Sequence, residues 1–592
     1  MNRLASRLEN LLAHCCGVVL ALLLVLTVST TFQRYALGSG FVGAEEAAVW
    51  LLVLLVCLGF PLASDGAISM RVQLFATRAV RSRAILAEMF VLAAALALIT
   101  SGLQAAMQVG GTSPMLGLGE WMRPAAIGAS GMLTLLLCIL KAKGRRTSDF
   151  GLSAALAIIT VALIAAGLRT SLHSPSLAAM TIIGVGILVA APLPHVFVLA
   201  GFGAIAFGSP LVEPAVSLTV IAGLERHLLL AIPFFLLTGA LLVVSGRAED
   251  LIRFASALVG ARRGGAGQTV MATSVLFSGV SGSSIANAAF SARTFFAPLV
   301  ASGYAPERAG AIIAATAVLD NIIPPSIAFF ILATATNLPV GPLLVAGLGV
   351  GLLLAAALAV AIAVTSRTVV AASSEDPASW SRLALRAAPV FGLGLIVVIG
   401  IRFGVVTPTE AAGVAATYTL VAALLSRRGF SDIASVFRQA GAETAAILML
   451  IGASAPLAFL LAVDGVAAGT TRAVLALGDN PYVVVIIANL LLLVAGLVLD
   501  IGAAILLFGP ILLPVAIAVG MDPVHFGAIL VVNLMIGGLT PPVGILVQVT
   551  SAVTGLGSSR IFRALLPYLA ALLLALLVMS LGAAGHAHLA QP

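Results

Sequence analysis

The sequence predicts an all-α, polytopic membrane protein, and three observations carry that prediction. Hydrophobic residues make up 61% of the chain and charged residues 9%, with a mean hydropathy of +1.18, whereas a soluble domain carries about 25% charge. Apolar runs such as Leu152–Leu168 and Ala387–Ile401 have about the length that crosses a roughly 30 Å hydrocarbon core as helix. The alternating segments of about ten residues that mark a membrane β-barrel are absent.

The net charge of +8 is not a nucleic-acid signature, because the basic residues gather in short loops between apolar runs. Cys15, Cys16, Cys57 and Cys138 all lie in apolar spans and read as small buried hydrophobes. The seven histidines are scattered without metal-ligand spacing. No nucleophile elbow, Walker loop or zincin motif appears, so an enzyme is not expected.

Arg3 and Arg7 precede the first apolar run without a small-residue cleavage site, so that run reads as a retained helix. Spans over about 10–31, 46–63, 84–106 and 125–140 follow, giving a four-helix module over 1–148. With Arg3 and Arg7 cytoplasmic, the basic loops at Arg71–Arg83 and Lys141–Arg146 are cytoplasmic too. The apolar run Leu152–Leu168 forms a connector, over 149–175, that returns the chain to the outside at RTSLHSP (Arg169–Pro175). The alternative is a fifth helix of the first module.

From Ser176 onward, Gly and Pro punctuate the apolar runs. A strong break at Ser366–Pro389, with Trp380, Arg382 and Arg386, fits a short interfacial helix with snorkelling arginines. It separates one half over 176–368 from a second over 389–592, with a linker over 369–388. The halves repeat. At an offset of 217 residues, Gly303, Pro306, Gly310, Ala311, Ile312, Pro324 and Pro325 recur as Gly520, Pro523, Gly527, Ala528, Ile529, Pro541 and Pro542. Duplicated halves with discontinuous helices at matched places point to a secondary transporter.

Each half carries a polar island in apolar sequence. The first comprises Ser281, Gly282, Ser283, Ser284 and Asn287, with Asp320-Asn321-Ile322-Ile323-Pro324-Pro325-Ser326. The second comprises Gly496, Asp500, Gly537, Gly538, Thr540, Pro541 and Pro542. Prolines free carbonyls of the preceding turn, and carbonyl and hydroxyl oxygens can replace the hydration shell of a small cation. Broken-helix N-termini offer N–H groups to an anion. The plainer alternatives are helix–helix hydrogen bonds for Ser and Asn, and a helix cap or an arginine pair for Asp320 and Asp500. Arg293 can fork onto a substrate carboxylate, or form a salt bridge or snorkel. Glu410 fits the start of a helix.

At these residues a resemblance becomes specific. The motifs AIPFFLLTG (Ala231–Gly239), FSGVSGSSIANAA (Phe277–Ala289), IIPPS (Ile322–Ser326), TPTEAAG (Thr407–Gly413) and DPVHFGAILVVNLMIGGLTPPVG (Asp522–Gly544) resemble the large membrane subunit of tripartite ATP-independent periplasmic (TRAP) transporters. The N-terminal module resembles the small four-helix subunit by Arg34-Tyr35, Glu46 and its span layout. The chain therefore resembles a fusion of both.

The resemblance implies an elevator-type transporter with two inverted repeats and two helical hairpins. It implies drive by Na⁺ and a periplasmic substrate-binding protein as partner. It implies residence in the bacterial inner membrane and a small organic anion as substrate, such as a C4-dicarboxylate, a 2-oxo acid or a sugar acid. By motif position, one Na⁺ site would use Ser281, Ser284, Ile323 and Pro325, with Asp320 beside them. A second would use Gly496, Gly537, Thr540 and Val543, several through backbone carbonyls. Ser283, Asn287, Arg293 and Asp500 are the candidate substrate contacts. The chain departs from the family pattern at Asp320, where a glycine is usual, and at Arg293, where a small or hydroxyl residue is usual. A binding-protein-independent carboxylate carrier of similar fold is the alternative within transport. Outside transport the alternatives are an intramembrane enzyme and a membrane scaffold, and a scaffold would not need two matched polar islands.

Overall fold

The computed structural model describes residues 3–65, 69–71, 81–142, 147–166, 174–259, 264–281, 283–366, 380–426, 429–476 and 480–590. Arg78, Arg145, Arg146, most of the RTSLHSP stretch and Gly282 lie outside the described residues. Among the described residues, twelve helices are long and apolar enough to cross a membrane. The sole β-type pairing there is an isolated bridge between Thr112 and Gly119.

The N-terminal module is α1 (Arg3–Ala36), α2 (Ala44–Gly59), α3 (Arg81–Gln108) and α4 (Met122–Ala142), followed by α5 (Thr147–Ala165). The first repeat runs α6 (Pro175–Leu188), α7 (Leu193–Gly203), α8 (Glu213–Leu224), α9 (Ala231–Val244) and α10 (Arg247–Val259). It continues α11 (Gly265–Ser281), α12 (Ser284–Ala301), α13 (Pro306–Thr316), α14 (Ile327–Thr336) and α15 (Val340–Thr365). The second runs α16 (Trp380–Arg402), α17 (Pro408–Leu425), α18 (Phe430–Val463), α19 (Val466–Leu475) and α20 (Pro481–Val498). It closes with α21 (Ile501–Ala518), α22 (Pro523–Gly537), α23 (Ile545–Thr554) and α24 (Ser558–Ala590).

The 217-residue offset governs element boundaries as well as identities. It carries Ser284 and Ala301, the ends of α12, onto Ile501 and Ala518, the ends of α21. It carries Pro306, which starts α13, onto Pro523, which starts α22. Both prolines sit in the first helical turn, where no N–H is needed. One difference between the repeats lies at α8 and α9. The 34-residue α18 starts 217 residues after α8, and its length also covers the counterpart of α9. In the first repeat a short 3-10 turn at His227–Leu230 interrupts that path.

Trp380, Arg382 and Arg386 do not form a separate interfacial helix. They begin α16, which continues without a break through Arg402. Glu410 does cap a helix: its carboxylate accepts the Thr407 N–H at 2.8 Å while the Thr407 hydroxyl accepts the Glu410 N–H at 3.3 Å, a reciprocal capping box.

The chain divides into two compact units. Unit one is Met1–Pro233 with Ala434–Gly469, so the N-terminal module, the first helices of repeat one and most of α18 pack together. Glycines make this possible. A Cβ on Gly17 would stand 3.0 Å from the Arg438 backbone, and one on Gly441 would stand 2.8 Å from the Cys16 carbonyl, so α1 and α18 approach backbone to backbone. Ser101 of α3 and Ser217 of α8 share a hydroxyl hydrogen bond of 2.6 Å. Arg123 of α4 lies 4.4 Å above the Trp50 ring and pairs with Glu225, beyond α8, at 2.5 Å. Helix α5 packs along α3.

Unit two is Phe234–Ile433 with Thr470–Pro592. Here the repeats interlock. Helix α12 of repeat one packs on α23 of repeat two, and α14 of repeat one packs on α21 of repeat two. That reciprocal exchange is what a pseudo-two-fold relation between the halves produces. It brings both proline breaks into one unit.

Candidate functional site

The first break is built by punctuation. Helix α11 ends at Ser281, and Ser283 caps α12 by accepting the Ala286 N–H at 3.4 Å. Farther on, α13 gives way to a 3-10 turn, Ala317–Asn321, and then to the Pro324-Pro325 pair, whose peptide bond is cis. Neither proline has an N–H to donate. Ser326 restarts the helix: its hydroxyl donates to the Asn321 carbonyl and accepts the Phe329 N–H at 3.4 Å.

The 3-10 turn packs against both α11 and α12, so residues some forty positions apart in sequence meet. Asp320 is fully buried, and Ser284, Asn287 and Ile323 are 4% exposed or less. Pro325 is buried as well. A shelf of small residues holds this irregular backbone. Added Cβ atoms on Gly347 and Gly351 of α15 would stand 2.8 Å from the Ile322 carbonyl oxygen and 2.4 Å from the Ile323 side chain.

Two buried polar atoms here have no hydrogen-bond partner among the described residues. They are the Ser284 hydroxyl oxygen and the Asn287 amide nitrogen Nδ2. The Ser291 hydroxyl donates to Asn287 Oδ1 at 3.1 Å, which fixes the amide and leaves Nδ2 as the open donor. Leaving such groups unmade costs about 1–3 kcal/mol each. Buried polar groups are otherwise almost always satisfied, which makes these two candidate ligand contacts. Helices α12 and α14 both pack against the same 3-10 turn.

Arg293 is not brought to this place. Ser284, Asn287, Ser291 and Phe295 form the buried face of α12, and at 3.6 residues per turn Arg293 stands on the opposite, exposed face. A residue's face within a helix follows from its spacing, so this signal was present in the sequence.

The second break uses the same plan with different groups. Asp500, counterpart of Ser283, caps α21 by accepting the Gly502 N–H at 3.0 Å. Gly496 of α20 lies against α22. A Cβ there would stand 2.5 Å from the Leu534 carbonyl, and one on Gly537 would stand 2.8 Å from the Gly496 Cα. Thr540, half-buried, donates to the Ile536 carbonyl at 2.9 Å, which leaves its oxygen lone pairs as acceptors. Pro541-Pro542 is cis and exposed, and Val543 is half-buried. Gly496 and Gly537 therefore share one helix crossing, with Thr540 just past the end of α22, and Asn321 of the first break contacts α22 through Nδ2, 3.8 Å from Met535 Sδ.

Sequence reading missed polar groups beside both breaks. Thr273 and Ser274 of α11 are buried hydroxyls without partners among the described residues. Asn533 of α22 donates to Asn489 Oδ1 of α20 at 2.6 Å, and Asn489 donates to Ser580 of α24 at 2.8 Å. The hydroxyls at Ser274 and Ser278, one helical turn apart, were a usable signal. The asparagine chain links three helices far apart in sequence and had none.

Residues 175–583 match the family model described as "Tripartite ATP-independent periplasmic transporter, DctM component", and residues 23–142 match the model of the DctQ component of such transporters. The chain is 36% identical over 362 residues to the C4-dicarboxylate TRAP transporter large permease protein DctM of Pseudomonas aeruginosa, covering 60% of this chain and 84% of that one. It is 33% identical over 368 residues to the sialic acid TRAP transporter large permease protein SiaM of Vibrio cholerae, covering 61% and 86%. Among solved structures, the YdaH transporter of Alcanivorax borkumensis aligns at 16% identity and a TM-score of 0.46, over 69% of this chain and 98% of that one.

Proposed function

Because the chain belongs to the TRAP transporter family, with that family's small and large membrane components fused in one polypeptide, we propose that it is the permease of a Na⁺-coupled importer of small organic anions. In this reading it lies in the bacterial inner membrane and receives substrate from a periplasmic binding protein. An elevator movement of the part carrying the two breaks takes the substrate across. The two relatives named above are a C4-dicarboxylate and a sialic acid permease. Both of those substrates carry a carboxylate, so the proposed class is C4-dicarboxylates, 2-oxo acids and sugar acids.

The observation that supports the reading best is the pair of buried polar atoms, the Ser284 hydroxyl oxygen and Asn287 Nδ2, without partners among the described residues. Donors and N-terminal N–H groups suit a carboxylate. The Ser284 oxygen and the carbonyls freed around Ile323 and Pro325, with Asp320 beside them, suit a cation. At the second break, Gly496, Gly537, Val543 and the Thr540 oxygen offer a second cation set without a carboxylate.

Uptake of labelled carboxylates into proteoliposomes tests the reading. The expected result is accumulation that requires both an inward Na⁺ gradient and the cognate binding protein. Accumulation without any binding protein would instead support the independent carrier, and accumulation indifferent to Na⁺ would overturn the coupling.

A further inference from the structure

Where α3, α4 and the start of α5 meet, unit one forms a partly open cavity of about 420 Å³. Three cations, Arg71, Arg81 and Lys141, and three carboxylates, Asp65, Glu88 and Asp149, line it. Apart from Ser64, its remaining wall is apolar, from Ala84, Ile85, Ala87, Val91 and Cys138. Nothing in the transport reading uses this site.

Its charges are held in fixed places. Arg71 Nη2 donates to the Ser64 carbonyl at 2.5 Å and pairs with Asp65 at 3.5 Å. Lys141 pairs with Glu9 of α1 at 2.6 Å and lies 3.8 Å from Asp65. Arg81 Nε donates to Asp149 at 2.9 Å. The α5 helix is also tied down one turn later, where the Ser153 hydroxyl donates to the Ile85 carbonyl at 3.1 Å and lies 3.4 Å from Glu88. Asp149 thus makes α5, the segment that joins the two modules, one wall of the cavity.

We propose that this cavity binds the headgroup of a zwitterionic phospholipid carrying a primary ammonium, that is, phosphatidylethanolamine. The site lies at helix ends, next to the basic loops, where headgroups meet a bilayer-spanning module. Arginine and lysine side chains are the partners a phosphate selects, and the carboxylates are the partners an ammonium selects. A lining of three positive and three negative groups gives no net attraction to a purely anionic headgroup, unlike the basic pockets that collect anionic lipids. The apolar wall accommodates the glycerol and the first methylenes. Outward-facing Leu152, Ile158 and Ile159 of α5, each at least half exposed, provide apolar surface for the acyl chains.

The test uses the full chain purified in detergent, with lipid occupancy read by native mass spectrometry and melting followed in parallel. Phosphatidylethanolamine is expected to occupy the protein and raise its melting temperature more than phosphatidylcholine or phosphatidylglycerol. Glu88→Gln should weaken that preference roughly tenfold, the effect of losing one charge-assisted hydrogen bond. Lys141→Gln, a second variant should Glu88→Gln not fold, should weaken occupancy by phosphatidylethanolamine and phosphatidylcholine alike. Glycerophosphoethanolamine, which lacks acyl chains, should do nothing. Equal occupancy by all three lipids, an unchanged preference in a folded Glu88→Gln protein, or unchanged occupancy in Lys141→Gln would overturn the proposal. Stabilisation by glycerophosphoethanolamine equal to that by the lipid would assign the cavity to a free phosphate ester and overturn the lipid assignment. None of these readouts involves transport.

Discussion

At the first break every residue from Asn321 to Phe330 is buried, while at the second Pro541 and Pro542 are exposed and Thr540 and Val543 half-buried. The repeat has kept the backbone plan: a capped second hairpin arm, a proline-started helix and a cis proline pair. It has not kept the chemistry. Ser283 became Asp500, Asp320 became Gly537, and Asn287 became Ala504 at the shared offset. The backbone device is the shared inheritance, and the side chains divide the labour. The first break has a carboxylate and open donors. The second has a tight glycine crossing, one hydroxyl and a carboxylate, Asp500, already engaged as the cap of α21.

The largest expected effect is at Asn287, whose counterpart in repeat two, Ala504, has no polar group. Asn287→Ala should weaken substrate transport roughly tenfold to a hundredfold at limiting substrate, the range for a lost hydrogen bond to a charged group. Ala504→Ser, the equivalent place, should change it little. Uptake kinetics of the two variants check this, and equal losses would erase the asymmetry.

Gly496→Ala strikes the second break through packing. A new methyl 2.5 Å from the Leu534 carbonyl should destabilise the protein by about 1–3 kcal/mol, visible as a lower melting temperature. An unchanged melting temperature would show that the α20–α22 crossing has slack.

Loss of a single hydroxyl should be milder. Thr540→Ala should raise the half-saturating Na⁺ concentration roughly fivefold, since one modest ligand contact is worth about 1 kcal/mol. Ser284→Ala should do at least as much, because its oxygen has no competing partner among the described residues. Na⁺ titrations of uptake in both variants measure it. Smallest of all, Arg293→Gln should alter uptake less than about twofold, as an exposed change away from the buried face of α12. A larger loss would restore Arg293 as a substrate contact.

The repeat was legible in the sequence because glycines and prolines mark breaks directly, and the same offset later set the helix boundaries. Two caps were legible for the same reason, since Asp500 precedes and Glu410 opens a helix with the right spacing, whereas the cap at Ser283 was not. The α16 helix was read too short. Arginines near an apolar run look interfacial whether or not the helix continues. What stayed hidden was tertiary: the exchange of α12 and α14 between repeats, the Gly347 and Gly351 shelf and the Asn489–Asn533–Ser580 chain all join residues remote in sequence. The position of Arg293 was readable from helical phase, but only once the start of α12 was fixed.

Asp320 concentrates the difference between the breaks, as a fully buried carboxylate whose counterpart is Gly537. Buried carboxylates at membrane depth are costly and mark function. The direct measurement is the Na⁺ dependence of uptake in Asp320→Asn beside wild type, with melting followed on the same preparations. A cation site at the first break predicts a half-saturating Na⁺ concentration raised tenfold or more, roughly 1.4 kcal/mol, with melting close to wild type. An unchanged Na⁺ dependence in a well-folded Asp320→Asn protein would contradict it.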